Sequence, residues 1–349
     1  MLGLEVRDAQ QTLLNAREIK NIDEIVLLNQ AAAMVDGVYH QIFEELKPGV
    51  READIVASAT KRLYEMGSDQ VEAINAVSGE RCNLHPHNFT DRLFRPGDQA
   101  FFDVIQSYMG YRTCYYRTIN VGRASDPQRD AYKQAREWID ASIELIRPGV
   151  GTDEVAKSWP TAGALGFANE MECFGLQFGH GRGLFLHERP SISRLVSLEN
   201  PMEIKEGMVF ALEIYCPAAD GFSGARIEEE VFVTDKGCRV ITLFPSEELP
   251  VAKQYQQIPS RGNHLRRRIC SKQMRSPPAG CYPLKNPAGS LWRGFVDNLF
   301  IVSRSMQFLA HFADRIFDHL VGTGFVEIFA DQLDRRLDGE AGGHLAHFT

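Results

Sequence analysis

The chain has 349 residues, of which 44% are hydrophobic and 24% charged, and its formal net charge is −8. That composition is ordinary for a globular protein with length enough for a large core, and the acidic balance argues against general binding to a phosphate backbone, so no nucleic-acid partner is expected. No run of about 18 apolar residues marks a membrane span, no basic segment followed by an apolar run marks a signal peptide, and the seven cysteines include no CxxC pair, so a cytoplasmic protein without membrane association is expected.

Residues 17–46 carry apolar side chains at helical spacing, with Asp23 and Glu24 near the start, and predict a helix. A second helix is predicted after the turn KPGV, from Glu52 to Met66. Strand signals follow in VEAINAVSG and in DQAFFDVIQSYMGYRTCYYRTINVG, which are rich in β-branched and aromatic residues. Residues 127–147 return to a helical pattern. Leu46-Lys-Pro-Gly-Val50 is then echoed by Ile146-Arg-Pro-Gly-Val150. Each phrase follows an amphipathic helix and precedes an acidic residue and an apolar helix start, which suggests two similar α+β halves. Beyond residue 200, MVFALEIYCP and GARIEEEVFVTDKGCRVIT read as strands, the second with a hairpin turn at Asp-Lys-Gly. Residues 256–290 are basic, rich in Pro and Gly and without periodicity, as a linker would be. Residues 291–337 regain helical spacing. The tail from 256 to 349 reads as an accessory segment or as a frameshift or fusion artefact, and its discontinuity with the preceding domain favours the second.

Four features could carry chemistry. Asp103 is a lone carboxylate inside the apolar run AFFDVI, where burial is costly unless the group is paired, hydrogen-bonded or bound to a metal. His180 lies between glycines in FGHGRGLFLHERP, and His187 follows seven residues later; the segment reads as a Gly-rich loop able to approach a ligand closely. Glu213 in VFALEIYCP repeats the pattern of Asp103. In the run Glu228-Glu229-Glu230, alternation along a strand puts Glu228 and Glu230 on one face and Glu229 on the other, which reads as a solvated edge. Asp103, His180, Glu213 and Glu228 form a set suited to one or two divalent ions.

Residues 17–250 resemble the M24 metallopeptidase family, the pita-bread fold of methionine aminopeptidase, aminopeptidase P, prolidase and creatinase. The likeness rests on ordered motifs: HNFTDRLFRPGDQAFFD, GYRTCYYRT, GHGRGLFLHERP, EGMVFALEIY and GARIEEEVFVT. It implies an α+β fold whose pseudo-twofold relates two halves around a curved, mainly antiparallel sheet. The implied domains are a remnant of an N-terminal domain or linker at 1–16, a metallohydrolase domain at 17–255 and the atypical tail. By position, Asp103, His180, Glu213 and Glu228 would ligate one or two ions of Mn, Co, Fe or Zn. Glu213 would also act as general acid and base. His87, preferred to His85 for its spacing before Gly97-Asp98, and His187 would orient substrate or stabilise the oxyanion. Arg117 would hold ligating carboxylates in place. The implied reaction is metal-assisted hydrolysis of an Xaa-Pro or other small amide bond, on a small peptide or amide substrate, by a homodimer.

One position departs from the pattern. The family's second metal aspartate sits three residues before the Arg-Thr pair, and here that residue is Cys114. Losing a hard oxygen ligand leaves three states open: a dinuclear site with one Cys ligand, a mononuclear site on His180, Glu213 and Glu228, or no catalytic metal; Cys114 itself reads as a buried, inert thiol or as a metal-proximal thiolate. The departure also keeps a non-peptidase reaction in view, a creatinase-like C–N hydrolysis or a dimethylsulfoniopropionate lyase-like elimination, beside a non-catalytic or fragmentary homologue.

Overall fold

The computed structural model describes residues 7–83 and 86–253. The linker-like and helical tail expected from residue 256 lies outside the described residues, and so does His85. The helix expected over 17–46 runs from Ile22 to Glu45, and a separate short helix precedes it. Helix α1 (Gln10–Glu18) ends before Asn21, whose side chain accepts the backbone N–H groups of Asp23 and Glu24 at 2.9 and 3.1 Å, while the Glu24 carboxylate accepts that of Asn21 at 2.9 Å. This capping box starts α2 (Ile22–Glu45). Next come α3 (Glu52–Glu65), β1 (Gln70–Ser78), β2 (Gln99–Tyr108) and β3 (Tyr111–Val121). The long strand-like stretch is thus a hairpin. Met109 and Gly110 both take positive φ, 52° and 84°, as a two-residue hairpin turn requires.

The second half repeats the plan. Helices α4 (Asp126–Leu145), α5 (Thr152–Ser158) and α6 (Glu170–Cys173) precede β4 (Gln177–Gly181), β5 (Glu188–Ile192), β6 (Val209–Pro217), β7 (Gly224–Val233) and β8 (Cys238–Val240). One sheet has the order β1-β2-β3-β9, where β9 (Val251–Ala252) adds in parallel to β3, and the other has the order β5-β4-β6-β7-β8. Helices α2 and α3 cover the first sheet through Val35, Tyr39, Leu63 and Phe102. Helices α4 and α5 cover the second through Ala135, Ile139, Trp159 and Leu212. The result is an α+β pita-bread fold.

The repeated Pro-Gly-Val phrase marks the duplication in hydrogen bonds. Gly49 N–H donates to the Phe94 carbonyl and Gly149 N–H to that of Ile204, each at 2.9 Å, and Phe94 and Ile204 return bonds to Val50 and Val150 at 2.9 and 2.8 Å. Gly49 and Gly149 have φ of 88° and 87°, a backbone state that a side chain would strain. From each bridge the chain turns at Gly97 or Gly207 into a strand. Asp103 lies nine residues past Phe94, and Glu213 nine residues past Ile204. The two carboxylates therefore hold equivalent places in the two halves.

The halves meet where β3 packs on β7. Thr118 Oγ1 donates to the Arg226 carbonyl at 2.7 Å, and Thr113 Oγ1 to Glu230 Oε1 at 2.9 Å. Asp36 on α2 anchors the segment after β8 to the first half: one carboxylate oxygen accepts the Tyr115 hydroxyl at 2.6 Å and the N–H groups of Leu243 and Phe244 at 2.9 and 3.0 Å. Asp36→Ala strands these donors in or near the core, and a loss of about 2–4 kcal/mol in unfolding free energy is expected from urea titration of the full chain. A change below about 0.5 kcal/mol would remove Asp36 from any such anchoring role.

Candidate metal centre

Register carries the expected residues to the seam between the halves. Asp103 faces Asn75 of β1 on one side and Tyr116 of β3 on the other. Asn75 Nδ2 donates to Asp103 Oδ2 at 3.1 Å, while Oδ1 is buried without a hydrogen bond. Glu213 stands opposite Glu228 on the neighbouring strand. Its Oε2 accepts from Arg226 Nη2, and its Oε1 lies 3.5 Å from His180 Nε2.

His180 is in a strand, not the loop that its glycines suggested. A Cβ on Gly181 would lie 2.1 Å from the Arg189 carbonyl oxygen, and one on Gly179 would lie 3.1 Å from Ile192 and Leu212 side-chain atoms. The glycines thus serve close approach between strands rather than a turn. The ring Nδ1 lies 3.0 Å from the Gly181 carbonyl. A carbonyl only accepts, so Nδ1 carries the proton and Nε2 turns a bare lone pair towards the Glu213 carboxylate. Two electron pairs facing each other at 3.5 Å in a buried site call for a cation. Glu228 Oε2 is a further buried atom without a hydrogen bond. His180 and Glu228 with Cys114, and His180 and Glu213 with His187, each bring three ligand atoms within 4.8 Å of one another. The residues fit a divalent ion, with the tautomer of His180 already set for it.

The exposed His187 ring lies 4.3 Å from that of His180, centroid to centroid. His87 is also exposed, 6.4 Å from the Tyr116 ring. Glu188, next to His187, accepts from Lys20 Nζ at 3.0 Å and from Phe185 N–H at 3.1 Å, which ties the His187 loop to the segment between α1 and α2. Arg117 is fully buried; it donates to the carbonyls of Glu228, Tyr116 and Phe244 and to Glu229 Oε2, the last at 2.9 Å. Glu229 is no solvated edge. It is buried and also accepts from Arg136, Ser246 and Thr242. Strand alternation sends it to the opposite face from Glu228, but β7 is covered on both faces.

Cys114 is buried beside a residue that the sequence reading passed over. Arg182, fully buried, donates from Nη2 to Cys114 Sγ at 2.7 Å, and its Nε pairs with Glu230 Oε1 at 3.0 Å. Cys114 Sγ lies 3.4 Å from Glu228 Oε1. The signal was present: a single arginine in Gly-His-Gly-Arg-Gly, two residues after the histidine.

The model of metallopeptidase family M24 matches residues 26–235. The chain belongs to the M24 metallopeptidase family. It is 32% identical over 246 residues to the probable dipeptidase PepE of Mycobacterium tuberculosis, a match covering 70% of this chain and 63% of that protein. The Xaa-Pro dipeptidase of Pyrococcus furiosus is 30% identical, over 70% of this chain and 69% of its own. Among solved structures, dipeptidase PepE from Mycobacterium ulcerans superposes with a TM-score of 0.63 at 29% identity, covering 72% of this chain and 66% of that one. The prolidase from Pyrococcus furiosus superposes with a TM-score of 0.60 at 27% identity, covering 66% and 67%. The described residues contain no helix long and apolar enough to cross a membrane.

Burial and mutual repulsion set the charges of this M24 site. Without a bound cation its carboxylates cannot all ionise. Burial and the nearby Glu213 push Asp103 up to about 7. Burial, Glu213 and Asp103 push Glu228 well above the carboxylate range. Burial also acts on Glu213, but the Arg226 guanidinium on Oε2 outweighs it and holds the group ionised. Burial lowers His180, and partial loss of solvent with the neighbouring His180 ring lowers His187, so both imidazoles are neutral. Burial raises Cys114 far above the thiol range against the pull of Arg182, so the sulfur keeps its proton. The thiol then accepts from Arg182 and donates towards Glu228.

The sign of the pH effect follows. Asp103 and Glu228 bind protons more tightly folded than unfolded, so the stability they contribute is present at low pH and lost as pH rises through the folded values. For Asp103 the loss, spread between about pH 4 and 7, is up to about 4 kcal/mol. The chelator-treated chain should melt lower at pH 8 than at pH 6, Mn²⁺ should raise the midpoint more at pH 8, and Asp103→Asn should flatten the difference. A midpoint that is equal or higher at pH 8 contradicts this assignment.

Proposed function

We propose that the chain is a metal-dependent hydrolase of the Xaa-Pro dipeptidase or aminopeptidase kind, acting on small peptides. The observation that carries the reading is the bare His180 Nε2, held by its own tautomer 3.5 Å from Glu213 among buried carboxylates. Membership of the M24 family and likeness to dipeptidases support it. An ion held by His180, Glu213, Glu228 and Asp103 would supply a Lewis acid and bring the acidity of water towards neutral pH.

The chain's own groups supply the rest. Glu213 is kept ionised by Arg226 on Oε2, which leaves Oε1 to take a proton and return it to the leaving amine. His187 and His87, at the open side of the site, are the groups to orient the peptide and donate to the carbonyl oxygen as charge builds there. Arg117 fixes the Glu228 strand through its carbonyl, so that the facing pair Glu213 and Glu228 keeps its spacing.

The purified full chain with Mn²⁺ or Co²⁺ should cleave members of an Xaa-Pro dipeptide panel. Glu213→Gln should lower kcat/KM by about 10²–10⁴-fold with the fold retained by circular dichroism. No turnover of any dipeptide would overturn the peptidase reading. Turnover of creatine or dimethylsulfoniopropionate in its place would move the site to the non-peptidase branch.

A further inference from the structure

We propose that Arg182 is a resident cation that takes over the charge of one metal ion, so that the centre holds a single divalent ion per chain on its His180 side. The inference rests on the reading of the seam as a metal site. Its first support is placement. Glu228 stands opposite Glu213 across β6, and one ligand atom each of Cys114, His180 and Glu228 lie within 4.8 Å of one another; Arg182 caps the Cys114 corner of that group. The guanidinium is fully buried and held at both ends of its reach, by Cys114 Sγ at 2.7 Å and Glu230 Oε1 at 3.0 Å, with Glu228 Oε1 at 3.7 Å. A second ion ligated by Cys114 and Glu228 would meet a fixed positive charge at contact range, in a medium that screens poorly. Its affinity falls by orders of magnitude.

The second support is charge balance. Among the described residues, Asp103, Glu213, Glu228 and Glu230 are the buried strand carboxylates at this seam that Arg117 and Arg136 do not pair, and Arg182 and Arg226 are the guanidiniums facing them, while Asp36 on α2 is taken up by the Tyr115 hydroxyl and two backbone N–H groups. With all four ionised, two positive charges are missing, which is one divalent ion. An aspartate at 114 with no arginine at 182 would raise the deficit to four charges, or two divalent ions. The cysteine and the arginine are in this sense one change. The cysteine sulfur accepts the guanidinium N–H at 2.7 Å, whereas an aspartate would pair with Arg182 and still leave the second ion repelled.

The two positions must therefore act together. Metal content after dialysis against Mn²⁺, by mass spectrometry and by titration calorimetry, should give one ion per chain in the wild type, in Cys114→Asp and in Cys114→Asp/Arg182→Lys. It should give two in Cys114→Asp/Arg182→Leu. The wild type needs no variant for a second readout: its bound Mn²⁺ should show the electron-spin-resonance pattern of an isolated ion, without exchange coupling to a neighbour. Two ions in the wild type or in Cys114→Asp alone, or a coupled spin signal, overturns the proposal and leaves the hydrolase reading standing. One ion in Cys114→Asp/Arg182→Leu with its circular dichroism unchanged also overturns it. No bound ion in the wild type overturns both.

Discussion

A carboxylate removed from water needs a cation or a full set of donors, and among the described residues five strand carboxylates are buried at the seam between the two sheets: Asp103, Glu213, Glu228, Glu229 and Glu230. Every other feature of the site answers that demand in a different way. Glu229 is satisfied by protein alone, through Arg117, Arg136 and two hydroxyls. Glu213 is half satisfied by Arg226, and Glu230 by Arg182, Thr113 and the Cys114 N–H. Asp103, Glu228 and Glu230 each keep one buried oxygen without a hydrogen bond, and His180 Nε2 among them is likewise without one.

Gene duplication, or the symmetry it leaves, explains how so many acidic groups reach one place. Asp103 and Glu213 occupy matching positions past matching turns, so the pseudo-twofold sets one carboxylate from each half against the seam. Symmetry does not supply the rest. In the first half, the residue across the ladder from Asp103 is Tyr116; in the second, the residue across from Glu213 is Glu228. The site is asymmetric because the second half carries the extra acid, the histidine and two buried arginines.

Much of this could be read in the sequence. Asp103 and Glu213 stood out because an acid inside an apolar strand is costly without a partner, and the Pro-Gly-Val echo exposed the duplication. The misreadings share a cause: local pattern does not report what covers a surface. Glu229 looked solvated because alternation puts it opposite Glu228, yet both faces of β7 are packed. The glycines around His180 looked like a flexible loop, yet they answer strand crowding at Arg189 and Ile192. Arg182 was passed over because an arginine among glycines has the composition of an exposed turn. Only its distance to Cys114 shows that the two unusual residues belong together.

The link from Glu188 to Lys20 has a consequence beyond its own ion pair. The loop carrying His187 is pinned at its base to the chain that enters the domain, and Arg17 at the end of α1 reaches the same carboxylate at 3.5 Å. The mouth of the site is thus built from two stretches of sequence 168 residues apart, one of them the turn between α1 and α2. Helix α1 and the turn after it are mechanically in series with a histidine at the open side of the centre, so a change in that short helix would be felt in how the histidine is held.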